Sequence, residues 1–231
     1  MQLVQEGRVA VNGMKILEPS TPIDPAKDAI SVDGKRIQVI SYEYIVFNKP
    51  AGYVTTKAQF PGEKTVFDIL PVKYKHLSPV GRLDKDTEGL LLLTNDGDAA
   101  YRLTHPKFNV DKTYLARIRG DLKPAEKIKL EKGVVLEGRL TAPAKIKDIR
   151  TQNRQTEFLI TIHEGRKRHI RLMLEIVGHH VVYLKRLAQG PLCLGALPVG
   201  AWRALTMVEI GFLRCNVYGR LYNQPACLTG R

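Results

Sequence analysis

Short apolar runs of two different periods alternate along the chain. Between Arg8 and Asn12 the apolar Val9 and Val11 fall on one side, and Ala29 to Val32 alternates in the same way. Each run closes on a dipeptide, Asn12-Gly13 or Asp33-Gly34, that tolerates the positive φ angles of a two-residue hairpin turn. Pro19, Pro22 and Pro25 mark an extended connection between them. Residues 1–40 therefore read as a small β-module.

A larger domain is expected over residues 41–215. Tyr44 to Phe47 carries a strand signal that stops at Asn48-Lys49-Pro50-Ala51-Gly52. Val66, Ile69 and Leu70 sit at helical spacing before Pro71. Leu90 to Leu93 is a continuous apolar run too short for a helix, the mark of a buried strand. Asn95-Asp96-Gly97-Asp98 then supplies a turn and an N-cap for a helix through Leu103. Thr113 to Ile118 reads as a strand, and Pro124 to Lys132 as a helix with proline in its first turn and Gly133 after its last. Phe158, Ile160 and Ile162 alternate within a further strand. Ile170, Met173, Leu174 and Val177 follow the i, i+3, i+4, i+7 spacing of an amphipathic helix, with Arg168, Arg171 and Glu175 on another face. Trp202 reads as a core residue. Strands interspersed singly with short helices, without a regular βαβ period or a glycine-rich phosphate loop, predict a mixed α+β sheet. Residues 216–231 show no periodicity and read as a disordered tail.

Charge changes this picture more than composition does. Lys and Arg number 36 against 23 Asp and Glu, a formal net charge of +13, which favours a polyanionic partner such as nucleic acid. Cys193, Cys215 and Cys227 are odd in number and lack metal-ligand spacing, so they read as free thiols in a reducing compartment. The first residues contain no apolar signal region and no apolar run is long enough to span a bilayer. A soluble cytoplasmic protein without membrane contact is expected.

The densest chemistry lies in Gly81-Arg82-Leu83-Asp84-Lys85-Asp86-Thr87-Glu88-Gly89-Leu90-Leu91-Leu92-Leu93-Thr94-Asn95-Asp96-Gly97. It is a polar loop with three carboxylates, anchored on a buried strand. Such a loop presents side chains from a rigid base. A carboxylate beside Arg82 and Lys85 stays ionised even when a substrate displaces water, because a nearby cation favours the charged form. On local chemistry alone an ordinary charged turn is the better explanation, since structural charge clusters also occur in loops. Likewise, the Arg166–Arg171 segment alone is a solvated basic helix face as readily as a phosphate contact, and Tyr114 alone is more often a core residue with its hydroxyl at the surface.

The whole string closely resembles the signature of ribosomal RNA pseudouridine synthases of the small-subunit/large-subunit family, whose Gly-Arg-Leu-Asp aspartate is the nucleophile. Four further segments match in order. They are Asn48-Lys49-Pro50-Ala51-Gly52, then His105-Pro106-Lys107 with Lys112-Thr113-Tyr114, then Glu164-Gly165-Arg166-Lys167-Arg168-His169-Ile170-Arg171. Last comes Leu184-Lys185-Arg186 with Gly190-Pro191-Leu192 and Leu197-Pro198-Val199-Gly200. Glu6–Gly13 and Asp28–Lys35 look like the second half of an RNA-binding module first described in a small-subunit ribosomal protein. Of that module's two opening helices the first is missing here and the second is at most a turn.

The resemblance implies a mainly antiparallel sheet with flanking helices and an isomerase of RNA that uses no cofactor and no metal. It implies Asp84 as nucleophile, Tyr114 against the target base, and Arg171 as the cation that pairs with and orients Asp84. Asp86 and Glu88 would shape the loop, and Arg82 would fill the stack vacated by a flipped base. RNA contacts are expected from Arg82, Lys85, Lys112, Arg166, Lys167, Arg168, Arg8 and Lys35. The basic motif and the Lys185-Arg186 segment look more like the large-subunit branch, so large-subunit ribosomal RNA is the expected partner of a monomeric enzyme. A small-subunit synthase, a non-catalytic RNA-binding or ribosome-assembly protein on the same fold, and an unrelated carboxylate hydrolase are the alternatives. The residues alone leave open whether Asp84 adds to carbon 1′ of ribose, attacks carbon 6 of the base or removes a sugar proton.

Overall fold

The computed structural model describes residues 2–24, 27–37 and 41–214. It divides into two compact units, Met1–Tyr42 and Glu43–Arg231. The expected tail, residues 216–231, lies outside the described residues, as do Pro25, Cys215 and Cys227.

The first unit opens with a helical turn, Gln2–Gln5, and holds four short antiparallel strands in the order Met14–Lys15, Val9–Val11, Ile30–Val32, Lys35–Arg36. Val9 faces Val32 and Val11 faces Ile30 across the central pair. Both predicted turn pairs adopt positive φ, 51° and 83° at Asn12-Gly13 and 50° and 74° at Asp33-Gly34. Arg8 is bound to Asp33 by a two-point ion pair at 2.9 and 2.6 Å and also reaches Glu6 at 3.3 Å.

The second unit is built on one large mixed sheet. Its main strands are β1 (Tyr44–Lys49), β2 (Glu88–Thr94), β3 (Lys112–Arg119), β4 (Lys145–Gln152), β5 (Gln155–Ile162), β6 (Val181–Gln189) and β7 (Trp202–Ala204), in the spatial order β4-β5-β3-β6-β2-β1-β7. Neighbours are antiparallel except β6 and β2, which meet in parallel through Lys185 opposite Glu88 and Arg186 opposite Gly89. This is the mixed, mainly antiparallel α+β architecture expected. Helices α1 (Val66–Ile69), α2 (Gly97–Thr104), α3 (Pro124–Lys132), α4 (His169–Ile176) and α5 (Met207–Arg214) accompany it.

The apolar patterns explain the layers. In β1 and β2 successive residues enter different clusters. Ile45, Phe47, Leu91 and Leu93 join one with α4, whereas Tyr44, Val46, Leu90 and Leu92 join another with Ala99 and Leu103 of α2. Both faces are covered, which is why Leu90 to Leu93 reads as unbroken rather than alternating. Phe158, Ile160 and Ile162 of β5 point into the first cluster, as their alternation predicts. Asp96 caps α2 by accepting from the Ala99 amide at 3.0 Å. Trp202 is only partly buried, edge-on to Tyr74 with ring centroids 4.6 Å apart, rather than fully in the core. Cys193 is disulfide-bonded, which corrects the reading of all three cysteines as free thiols; an odd count is compatible with one bridge and a remainder.

Candidate active site

Asp84 sits in the loop that leads into β2, and that loop is held from beneath. Leu83 is buried in the main cluster, and its backbone exchanges two bonds with the Thr55 hydroxyl, at 2.9 and 3.3 Å. Lys49, at the end of β1, is fully buried. Its ammonium donates to the carbonyls of Thr87 at 2.8 Å, Asp84 and Pro50 at 3.1 Å and, more weakly, Lys85 at 3.4 Å. One side chain from β1 thereby gathers the turn on which Asp84 stands. Burial pushes the Lys49 pKa down to about 8, against the pull of Asp86, Asp84 and Glu88. Its place in the Asn48–Gly52 motif carried no hint of this anchoring role.

The Asp84 carboxylate makes no hydrogen bond or ion pair among the described residues and lines a cleft of about 1060 Å³. Tyr114, buried on β3, lines the same cleft. Arg171 on α4 does not bond Asp84. It donates to the Asp86 carbonyl at 2.9 Å and the Val181 carbonyl at 3.1 Å, and its Nε lies 3.2 Å from the Asp86 carboxylate. The expected Arg171–Asp84 pair is thus an Arg171–Asp86 pair, because the turn closed by the Thr87 amide on the Asp84 carbonyl gives Asp86 to α4 and Asp84 to the cleft. Arg171 still feels the Asp84 charge, while burial draws its pKa down.

The expected RNA contacts separate into groups. Arg82 and Lys167 are exposed on the cleft and make no side-chain bond among the described residues. Lys85 reaches Glu63 at 2.7 Å. Arg168, at the left-handed N-cap position of α4, reaches Asp86 at 3.3 Å, so it meets the same carboxylate as Arg171 from the face the two were expected to share. Arg166 is half-buried on Glu164 and on the Leu136 and Leu140 carbonyls. Lys112 is turned inward to the carbonyls of Val110 at 3.1 Å and His163 at 3.3 Å. Its pKa falls to about 8 through burial and through the charge of Arg186. Arg8 and Lys35 belong to the first unit, where Arg8 is already engaged by Asp33.

Comparison with known proteins decides what this cleft belongs to. Residues 43–176 match the family described as RNA pseudouridylate synthase. The chain belongs to the RNA pseudouridine synthase family. It is 41% identical over 216 residues to the ribosomal large subunit pseudouridine synthase B of Bacillus subtilis, covering 92% of this chain and 88% of that protein. It is 39% identical over 213 residues to an uncharacterized RNA pseudouridine synthase of Aquifex aeolicus, covering 92% and 86%. A crystal structure of a pseudouridylate synthase superposes with a TM-score of 0.68 at 30% identity, covering 92% of this chain and 91% of that one. As an RNA pseudouridine synthase, the protein is an isomerase acting on RNA.

Two residues of the cleft were not singled out as functional by sequence. Arg186 and Gln189 of β6 are 2% and 1% exposed, and both line it. Arg186 stands opposite Gly89 across the parallel pair, where a Cβ would come within 2.2 Å of the Arg186 carbonyl oxygen. Glycine at 89, at φ +107°, is therefore what lets β6 approach the end of the Asp84 loop. A charged residue inside an apolar strand pattern was the available signal.

Proposed function

We propose that the protein converts a uridine of large-subunit ribosomal RNA to pseudouridine in this cleft, with Asp84 as the nucleophile. The observation that carries the reading is an unbonded Asp84 carboxylate on a tightly held loop, facing the same cleft as Tyr114. Isomerisation breaks the bond from N1 to C1′ and forms one from C5 to C1′, with a proton lost from C5 and one gained at N1. The carboxylate's part parallels that in retaining glycosidases, where it stabilises or captures an oxocarbenium-like sugar. Tyr114 lies against the base and takes the C5 proton. Arg171 orients the loop through Asp86 and supplies positive charge near Asp84.

A uridine in a structured RNA must leave its stack to reach Asp84, at a cost of about a few kcal/mol. Exposed Arg82 is suited to fill the vacated place, since its planar guanidinium stacks and contacts phosphate. Lys85, Lys167 and Arg168 hold phosphates around the cleft, with Arg166 and Lys112 shaping its wall. Residues 1–40 serve as an accessory RNA-binding module through Arg8 and Lys35. The large-subunit address is supported by the name of the Bacillus subtilis relative. A monomer acting in the cytoplasm, where ribosomal RNA is made, fits this role.

The test is to incubate the protein and its Asp84→Asn variant with unmodified large-subunit RNA and map pseudouridines. One position should be converted by the wild type and none by the variant. Conversion by both, or by neither, refutes the assignment.

A further inference from the structure

The polar groups on the β6 wall have unused bonding capacity. A register shift places Arg186 opposite Tyr114, while Ala188 faces Thr113 and Gln189 faces Lys112, with Leu187 the extra residue. The bulge brings Arg186 and Gln189, three residues apart, onto the wall that carries Tyr114 and Lys112. The Arg186 Nε donates to the Leu90 carbonyl at 2.7 Å, but Nη2 is buried without a partner. The Gln189 Nε2 reaches the Leu103 carbonyl at 3.4 Å, which leaves Oε1 as a buried acceptor without a partner.

No carboxylate lies within ion-pair distance of Arg186 among the described residues. An uncompensated buried guanidinium is strongly unfavourable, and a second cation, Lys112, is close enough to feel it. A cleft wall with two inward cations, a free donor and a free acceptor is built for a ligand that presents a carbonyl oxygen beside an N–H and gains negative charge as it reacts. Uracil does so. Its imide edge carries O4, N3–H and O2. When the N1–C1′ bond breaks, the electron pair stays with the ring and spreads over N1, O2 and O4. That pair is returned when C5 bonds to C1′, and the proton lost from C5 is balanced by one gained at N1, so no co-reactant is needed.

We propose that Arg186 and Gln189 bind the imide edge of the target uracil, and that Arg186, backed by Lys112, stabilises the negative charge of the ring while it is detached from ribose. The Nη2 group meets a uracil carbonyl and the Gln189 oxygen accepts N3–H. Arg186 is then a catalytic residue of the electrostatic kind, whose donor is already in place before charge develops. This rests on the assignment of the cleft to uridine isomerisation by Asp84.

The test compares Arg186→Met, Arg186→Lys and Gln189→Leu with the wild type in single-turnover reactions on the same RNA, alongside RNA affinity and thermal unfolding. Loss of one such donor reduces the chemical rate by about 10²–10³-fold. Arg186→Met should show that loss with RNA affinity nearly unchanged and melting temperature undiminished, because methionine relieves an unpaired buried charge. Arg186→Lys should recover part of the rate, and Gln189→Leu should lose about tenfold. A second substrate carries 5-fluorouridine at the target position, and the readout is consumption of that nucleoside. Fluorine makes the detached ring a weaker base, so the Arg186→Met deficit should shrink by about tenfold.

An Arg186→Met variant at wild-type rate would overturn the proposal. So would weakened RNA binding with unchanged chemistry, which would mark a phosphate contact, or equal deficits on both substrates. If Arg186→Met fails to fold, the comparison of both substrates with Arg186→Lys decides. A dead Asp84→Asn enzyme beside a fully active Arg186→Met enzyme refutes this inference alone, whereas an active Asp84→Asn enzyme refutes the reading beneath it.

Discussion

Replacing Lys49 with methionine removes the ammonium that gathers the Asp84 loop, and the structure sets the size of the effect. The gap between the usual lysine pKa, about 10.4, and the value near 8 imposed by burial corresponds to about 3 kcal/mol against the charged form. Methionine removes that penalty at neutral pH. In exchange the Thr87 and Pro50 carbonyls lose their Lys49 donor, at about 1–3 kcal/mol each for a buried acceptor. The Asp84 carbonyl keeps the Thr87 amide and the Lys85 carbonyl keeps the Gly52 amide. Stability at pH 7.5 should therefore change by no more than about 3 kcal/mol in either direction. The loop, however, loses its main tether, and a misplacement of about 1 Å at the reacting group costs about 10²-fold in rate.

The pH dependence isolates the same residue. Below pH 8 Lys49 is protonated in both the folded and unfolded states. Between pH 8 and pH 10 the unfolded state holds the proton and the folded state has released it, so stability rises with pH. Lys49 should contribute about 2 kcal/mol to this rise over the window. Lys112 adds a similar rise in both proteins. Tyr183, pushed up to about 12 by burial and its bond to Glu88, opposes it only above pH 10. Urea midpoints at pH 7.5, 8.5 and 9.5, with single-turnover rates at pH 7.5, provide the measurements. Parallel pH curves for wild type and Lys49→Met, or a wild-type rate in the variant, would refute the reasoning.

Gly89→Ala should destabilise the protein by about 3 kcal/mol or more, since its Cβ has backbone of Arg186 within 2.2 Å and its φ of +107° resists any side chain; thermal unfolding checks this, and a stable, active variant contradicts it. Arg82→Gln and Lys167→Gln should weaken RNA binding in low salt and flatten the log–log salt slope by about 0.7–0.9 for each phosphate no longer neutralised. Unchanged slopes would place these residues off the RNA. Asp86→Asn should reduce the rate by about tenfold while altering stability by only about 1 kcal/mol, because its ion pairs with Arg168 and Arg171 are partly exposed. Activity equal to wild type would show that Arg171 needs no carboxylate on this loop.

Much of the fold was legible because its strongest elements carry local signals. The helix Pro124–Lys132 lies at its predicted bounds between proline and glycine, and both hairpin pairs turn where expected. The missed strands had no such signal. In Lys145–Gln152 only Ile146 is buried. It is an edge strand, charged where an edge must resist pairing with other chains. Val181–Gln189 is central to the sheet, yet its bulge at Leu187 breaks the alternation that would have revealed it.

The candidate site divides on the same physical line. Asp84, Tyr114 and Arg171 stood out through the family signature, and all three lie around one loop and cleft. Their mutual geometry was not legible, because the four-residue turn Asp84–Thr87 decides which carboxylate meets Arg171, and turn direction depends on tertiary anchors such as Thr55 and Lys49. Buried cations were the least legible of all. Lys49 and Arg186 contribute to the same +13 as the exposed Lys167, and nothing in a residue count distinguishes a phosphate contact from a charge enclosed in the core. The distinction has consequences. An exposed lysine sets how tightly a polyanion binds and how salt weakens it. An enclosed one acts at full strength on whatever charge the reaction creates beside it. The basic composition thus serves two ends, one at the cleft surface and one within its wall, and only salt dependence measured together with single-turnover rates separates them.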